Sequence, residues 1–277
     1  PLQKTKEIYK HRNKFEEKDL KELSILFLAM NNLDIFRKNI ELISEVSFSN
    51  NALNQFKQKL NSVLLDLQEN HIEINDIYDV GAYKGNWSYF LDRTSLKNKN
   101  FYLFESNFEN EKYLKKYNYK YFIETLSDDI KEVKFFSKSH VGDSYYRENT
   151  DFYPNDIKPL IKKTTTLNIV QKTNNLPMPD FLKIDTQGSE IDILKGANQI
   201  LKKCKIILLE CPIINYNKGA PSIDQYINYL NSIEFLPFDA CELHYIDNVL
   251  VQIDIIFLKK NIFAKITNKK PILKIFN

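Results

Sequence analysis

Asp79-Val80-Gly81-Ala82-Tyr83-Lys84-Gly85-Asn86-Trp87 is the stretch whose reading decides the fold. Ile77-Tyr78-Asp79-Val80 has the composition of a short buried strand. Gly81 to Gly85 reads as a turn, and Asn86 opens a helix through Leu91. A strand running through glycines into a helix is a ligand-receiving corner of a parallel sheet, because a glycine leaves room for close approach to the backbone. Dinucleotide folds seat pyrophosphate at such a helix N-terminus. Here the acid Asp79 precedes the turn, where it would repel a pyrophosphate and suit an ammonium group.

Working outward, Phe101-Tyr102-Leu103-Phe104 reads as a second strand ending at Glu105, and Asn107 to Tyr117 as a helix. An acid ending the second strand can bind both hydroxyls of a ribose. Amino-acid ammonium and ribose together point to S-adenosylmethionine rather than NAD. Lys120 to Glu124 is a third strand; Thr125, Leu126, Ser127 and Asp128 follow it at the same sheet edge, where an adenine would lie. Further strands are expected at Phe181 to Ile184, Ile206 to Leu209, Glu234 to Phe238 and Val251 to Leu258. Helices are expected at Glu190 to Leu201 and Ser222 to Asn231. Alternation of this kind implies a parallel α/β sheet covered on both faces. The polar stretch Asp239 to Asn248 has no helical period, so the last two strands should form an antiparallel hairpin. The expected fold class is therefore α/β: a Rossmann-like, mostly parallel sheet of seven strands with the last one antiparallel, as in class I methyltransferases.

Residues 132–167 break the rhythm. Val133 to Phe136 and Lys163 to Leu167 look like strands around a polar, aromatic loop carrying Ser144, Tyr145, Tyr146 and Arg147. Long loops inside compact domains are usually functional or mobile. Tyrosines there suit a sugar face and Arg147 an anionic group. Residues 1–70 read as a helical extension of three segments, the last with Leu53, Phe56, Leu60, Val63, Leu64 and Leu67 at three- and four-residue spacing. This extension offers a homodimer face, and residues 71–277 form the catalytic domain.

Composition narrows the function. The net charge is only +3, and Lys+Arg 39 includes just four arginines (Arg12, Arg37, Arg93, Arg147). Nucleic-acid grooves favour clustered Arg, so no nucleic-acid partner is expected. The cysteines Cys204, Cys211 and Cys241 form no CxxC pair, and His11, His71, His140 and His244 are scattered. No metal-ligand spacing is visible, and free thiols suit a reducing compartment. The first apolar run, Leu23 to Met30, is far short of the about 20 residues of a membrane span. A cytoplasmic protein without a membrane span is the expectation.

Asp79 to Trp87, Phe104-Glu105, Gly142-Asp143-Ser144, Thr165-Thr166-Leu167-Asn168 and Asp180 to Leu194 occur in the order seen in FkbM methyltransferases, and residues 76–260 resemble that family. The most specific part runs from Phe181-Leu182-Lys183-Ile184-Asp185 through Gly188 and Glu190 to Leu194-Lys195-Gly196-Ala197. The family usually has Asp where this chain has Asn168. The resemblance implies an S-adenosylmethionine-dependent O-methyltransferase acting on a hydroxyl of a sugar or polysaccharide precursor, its partner a small-molecule or glycan acceptor. Asp79, Gly81, Ala82, Tyr83, Gly85, Trp87, Glu105, Ser106, Thr125, Leu126, Ser127, Ser144 and Asp185 are then the expected cofactor residues. A carboxylate or histidine must take the alcohol proton. Asp185 is the first choice, His140 and Glu190 follow, and His244 is a further candidate. The rival readings are a nucleic-acid methyltransferase and a non-catalytic binding module. Amino-methylating enzymes commonly carry a Pro-Pro-aromatic loop where this chain has Asp185-Thr186-Gln187-Gly188.

Overall fold

The computed structural model describes residues 50–137, 142–150, 153, 157–246 and 248–268. The first two expected N-terminal helices, and the dimer face placed on them, lie outside the described residues, as does His140. In chain order the elements are α1 (Asn50–Glu69), β1 (Asp76–Val80), α2 (Asn86–Asp92), β2 (Asn100–Glu105), α3 (Glu111–Leu114), β3 (Lys120–Ile123), β4 (Thr125–Leu126), β5 (Glu132–Phe135), β6 (Leu160–Thr165), α4 (Leu167–Thr173), β7 (Phe181–Ile184), α5 (Glu190–Lys195), α6 (Asn198–Leu201), β8 (Ile206–Pro212), α7 (Ile223–Ser232), β9 (Phe235–Ile246), β10 (Val249–Lys259) and α8 (Lys260–Thr267).

The main sheet has seven strands in the order β3-β2-β1-β7-β8-β10-β9. All pairs are parallel except those of β10, which runs antiparallel to both β8 and β9. This is the expected class I methyltransferase architecture, the last strand of the chain being the reversed one. The order reverses at β1, the switch point where ligands sit beyond the strand ends.

Each face of the sheet carries its own core. Tyr78, Leu182, Ile207 and Ile255 pack under Leu167 of α4, Leu194 of α5 and Tyr226 of α7. Ile77, Phe181, Leu208 and Ile256 pack under Leu64 and Leu67 of α1, Leu91 of α2 and Ile266 of α8. Leu64 and Leu67 are fully buried, each worth about 1.5–3 kcal/mol, so α1 is built into the sheet's own core. It ends where His71 takes φ 59.

Four expectations are corrected. The stretch Asp239 to Asn248 is mostly strand: β9 continues to Ile246 and pairs with β10 through three register shifts. Its alternation of Glu242 and His244 with Leu243 and Tyr245 is a strand period rather than loop polarity. The helix Glu190 to Leu201 is split into α5 and α6. A Cβ on Gly196 would lie 2.2 Å from the Ser127 carbonyl oxygen, so the break lets two backbones touch. Asn107 to Tyr117 is a 3-10 turn at Phe108–Asn110 followed by one turn of α3. The strand expected at Lys163 to Leu167 runs instead from Leu160 to Thr165, with Thr166 capping α4. β4, β6 and β5 form a small second sheet over the ligand edge.

Candidate functional site

A cavity of about 790 Å³ opens at the carboxyl ends of β1, β2, β7 and β8, within the size range of cofactor sites. Glu105 closes one corner of it. One carboxylate oxygen accepts the Tyr83 N–H at 2.7 Å and the other the Asn107 N–H at 2.7 Å. Burial raises its pKa against these donors. The Asn110 side chain is a third donor, so of about four lone-pair positions the carboxylate keeps one for a ligand hydroxyl. Ser106 and Thr125 share a hydroxyl contact of 2.6 Å beside it, and Val80, Phe104, Leu126 and Ile193 supply apolar wall. Carboxylate, hydroxyls and apolar wall form a donor set that fits an adenosine. Replacing Glu105 by Ala should weaken S-adenosylmethionine binding by about 1–3 kcal/mol. Calorimetry on the folded variant is the measurement, and unchanged affinity would remove Glu105 from the cofactor site.

A second polar corner of the same cavity is built around Asp185. Asp185 ends β7 with its side chain 40% exposed, 3.5 Å from the Lys183 ammonium. Burial alone would raise its pKa. Lys183, the Glu210 carboxyl, the Gln187 amide and His244 outweigh it and hold Asp185 below the usual carboxylate range. Gln187 donates to Asp185 at 3.3 Å and also to Glu210. The Tyr216 hydroxyl donates to the Gln187 carbonyl at 2.8 Å and so fixes the direction of that amide. Glu210 behaves oppositely to Asp185: burial and the charges of Asp185 and Asp254 push its pKa well up. Within the pair Asp185 thus favours the ionised form and Glu210 the protonated one.

The loop around Ser144 ties the two corners together. Asp143 accepts from the Asn107 side-chain amide, just past β2, at 2.6 Å, while the Ser144 hydroxyl donates to the Gln187 backbone carbonyl, just past β7, at 3.0 Å. Ser144 and Tyr145 line the cavity. The hydroxyls of Tyr145 and Tyr146 both bond Asp192 of α5, at 3.1 and 3.2 Å. Arg147 stacks over Tyr153, 5.9 Å from its ring centre, and does not line the cavity.

Several expected residues stand behind the wall. Asp79 is fully buried, 3.0 Å from Lys183 and accepting from Ser88 of α2 at 2.7 Å. It therefore does not present itself to a ligand ammonium. Period two puts its side chain with Ile77, on the α2 face of the sheet. Burial opposes the Lys183 charge, but Asp79 and Asp185 outweigh it and raise the lysine's pKa. Gly81 and Gly85 leave space for protein rather than ligand. A Cβ on Gly81 would meet the Asp185 carbonyl oxygen at 1.8 Å, and one on Gly85 the Tyr117 ring at 2.9 Å. Gly81 and Tyr83 do line the cavity; Ala82, Gly85, Trp87 and Ser127 do not. Trp87 packs edge-on against Phe181, and the buried Ser127 hydroxyl bonds Asp128 at 2.9 Å. Glu190, a catalytic candidate, is also buried away from the cavity. It accepts the N–H groups of Thr186 at 2.8 Å and Gly188 at 2.9 Å and the Tyr226 hydroxyl, and so shapes the turn after β7. Asn168 bonds Asn198 at 2.8 Å and caps α6, a task an amide performs without charge.

Sequence reading missed Glu210, Gln187, Tyr216 and Lys162. Lys162 donates to the Ser106 carbonyl beside Glu105. A signal for Glu210 existed: Phe104-Glu105, Ile184-Asp185 and Leu209-Glu210 are three apolar strands each followed by an acid. Glu210, His244 and Asp254 offer ligand atoms within 4.8 Å of one another. This grouping is invisible to sequence spacing because it spans three strands. Among the described residues no helix is long and apolar enough to cross a membrane.

A family model described as the methyltransferase FkbM domain matches residues 79–237, more than half of the chain. No curated protein matches. Among solved structures, methyltransferase FkbM from Methylobacillus flagellatus is 16% identical over 66% of this chain and 43% of that one, with a TM-score of 0.45. The chain thus spans less than half the length of that protein. Magnesium protoporphyrin IX methyltransferase from Synechocystis, solved with bound S-adenosylmethionine, is 10% identical over 86% of this chain and 96% of that one, TM-score 0.41. Fibrillarin from Aeropyrum pernix, with natively bound S-adenosyl-L-methionine, is 11% identical over 66% of each chain, TM-score 0.39.

Proposed function

This chain belongs to the FkbM methyltransferase family and is an S-adenosylmethionine-dependent methyltransferase; from that premise we propose that it methylates a hydroxyl oxygen of a sugar or polysaccharide precursor. The observation that carries this reading is Asp185, a carboxylate held ionised at the cavity end of β7. The cofactor supplies a methyl group already activated on a sulfonium. What remains for the protein is to align an oxygen and take its proton as it attacks. Asp185 is the proton acceptor in this reading. Gln187, Glu210, Tyr216 and Gln252 give the floor amide, acid and phenol groups, with Ile214 and Val251 beside them. Such a mixture suits a polyhydroxylated ring, whose faces are apolar and whose edges hydrogen-bond. Glu105 with Ser106 and Thr125 holds the adenosine.

The reading places the enzyme in the cytoplasm, where it modifies a glycan precursor. Purified protein should transfer labelled methyl from S-adenosylmethionine to members of a panel of nucleotide sugars and methyl glycosides, giving an alkali-stable methyl ether. Transfer to RNA or DNA with none to the sugars would favour the nucleic-acid rival and overturn the proposal.

A further inference from the structure

The titratable groups at the Asp185 corner continue beyond the cavity. Asp254 on β10 lies directly across from Glu210 on β8. His244 on β9 closes the row, its Nε2 3.2 Å from the Asp254 Oδ1. Asp185 and Glu210 line the cavity, whereas the His244 side chain lies outside that lining and is 34% exposed. We propose that Asp185, Glu210, Asp254 and His244 form a proton exit path from the cavity floor to the sheet's last hairpin, with Asp254 and His244 as positioning residues for methyl transfer. This rests on the hydroxyl-methylation reading.

The acceptor O–H proton passes to the Asp185 carboxylate while the new O–C bond forms and the C–S bond breaks. Asp185 returns to its ionised form by passing that proton to Glu210, as Glu210 releases its own to Asp254. Neutral His244 takes it from Asp254 and gives it to water, so one proton leaves per methyl transferred. Both ends suit these roles. Lys183 is shared between Asp79 and Asp185, at 3.0 and 3.5 Å, which keeps the cavity end ionised and ready. At the far end the groups facing His244 are Glu210 on β8 and three acids that raise its proton affinity, Asp254 on β10, Glu242 on its own strand and Asp185 on β7. Burial lowers the affinity of His244 for a proton, and these three acids more than restore it.

The same cluster has the ligand types for a divalent cation, but the hydrogen bonds favour protons. Gln252 donates to Tyr216, Tyr216 to the Gln187 carbonyl, and the Gln187 amide to Asp185 and Glu210. The Gln187 donor already occupies a Glu210 lone pair that a metal would need.

Two measurements test the path. The first needs no acceptor: His244 is titrated by NMR in the wild type and in Asp185→Asn. Removing the cavity-end charge should lower the pKa of His244; an identical titration would overturn the path. Sharp loss of the His244 signal with micromolar Mn²⁺ would also overturn it, in favour of a metal site. The second follows turnover against pH. Wild-type kcat should rise through the His244 titration, and His244→Gln should lose that limb with a fall of about tenfold or more and unchanged S-adenosylmethionine affinity. A His244→Gln enzyme with the wild-type pH profile, or one impaired only in thermal stability, would show a structural histidine. If the wild type methylates no sugar hydroxyl, the functional reading fails, while the NMR result still decides whether the row is coupled.

Discussion

Asp185→Asn should lower turnover by about 10²–10⁴-fold, the contribution typical of a positioned general base, and leave cofactor affinity nearly unchanged. The amide keeps the shape and can still meet Gln187, but it cannot accept the alcohol proton. Lys183, Glu210 and the Gln187 amide hold Asp185 below the usual carboxylate range. The active, ionised form is therefore present above that lowered pKa and is lost only as pH falls through it. Activity should show no limb from Asp185 at pH 5 or above, since even an ordinary Asp titrates near 3.9. A limb near neutrality then belongs to another group, and His244 is the histidine at the end of the row. A low pKa makes Asp185 a weak base in isolation. The proton path answers this by carrying the proton onward to a group of higher affinity. Near-full turnover in a folded Asp185→Asn enzyme would remove Asp185 from the chemistry.

The parts of the site that were legible in the sequence are those set by strand ends. Phe104-Glu105 and Ile184-Asp185 stand out because buried parallel strands are apolar runs, and an acid closing one must lie at the open edge of the sheet. Glu210 obeys the same rule but is followed by Cys211-Pro212, which extends the strand and hides its end. Asp79 shows the limit of reading a motif by position alone. It lies one turn from the cavity in sequence, yet strand alternation points it into the α2 face, where it neutralises Lys183. The His244–Asp254 pair needs the register of β9 on β10, and three irregularities shift that register. No hydrophobic pattern encodes such shifts. Glu190 looked catalytic because it follows Asp185 closely; its carboxylate instead satisfies backbone N–H groups of a turn in which Gln187 has φ 58.

The glycine turn carries the second large effect, and a pair of substitutions separates its causes. Gly81 and Gly219 both have positive φ, +74 and +82. A Cβ at Gly219 would have nothing within 4 Å, whereas one at Gly81 would meet the Asp185 backbone at 1.8 Å for the oxygen and 2.8 Å for the carbon. Gly219→Ala should therefore cost only the left-handed conformation, about 1–2 kcal/mol. Gly81→Ala should add overpacking of about 1–3 kcal/mol or more against backbone that cannot rotate away. At about 2–4 °C per kcal/mol for a domain of this size, melting should fall by a few degrees in the first variant and by roughly 10 °C in the second. The clash also has a direction. Asp185 N–H bonds the Val80 carbonyl at 3.0 Å and Gly81 N–H the Phe104 carbonyl at 2.9 Å, so β2, β1 and β7 are laced together at the cavity edge. A methyl group forced between Gly81 and Asp185 must displace Asp185 from its place across the cavity from Glu105. Gly81→Ala should thus lose turnover well beyond its loss of stability when assayed below its melting point, and Gly219→Ala should not. Equal effects from the two variants would mean that backbone strain, rather than the contact of β1 with β7, is what Gly81 relieves.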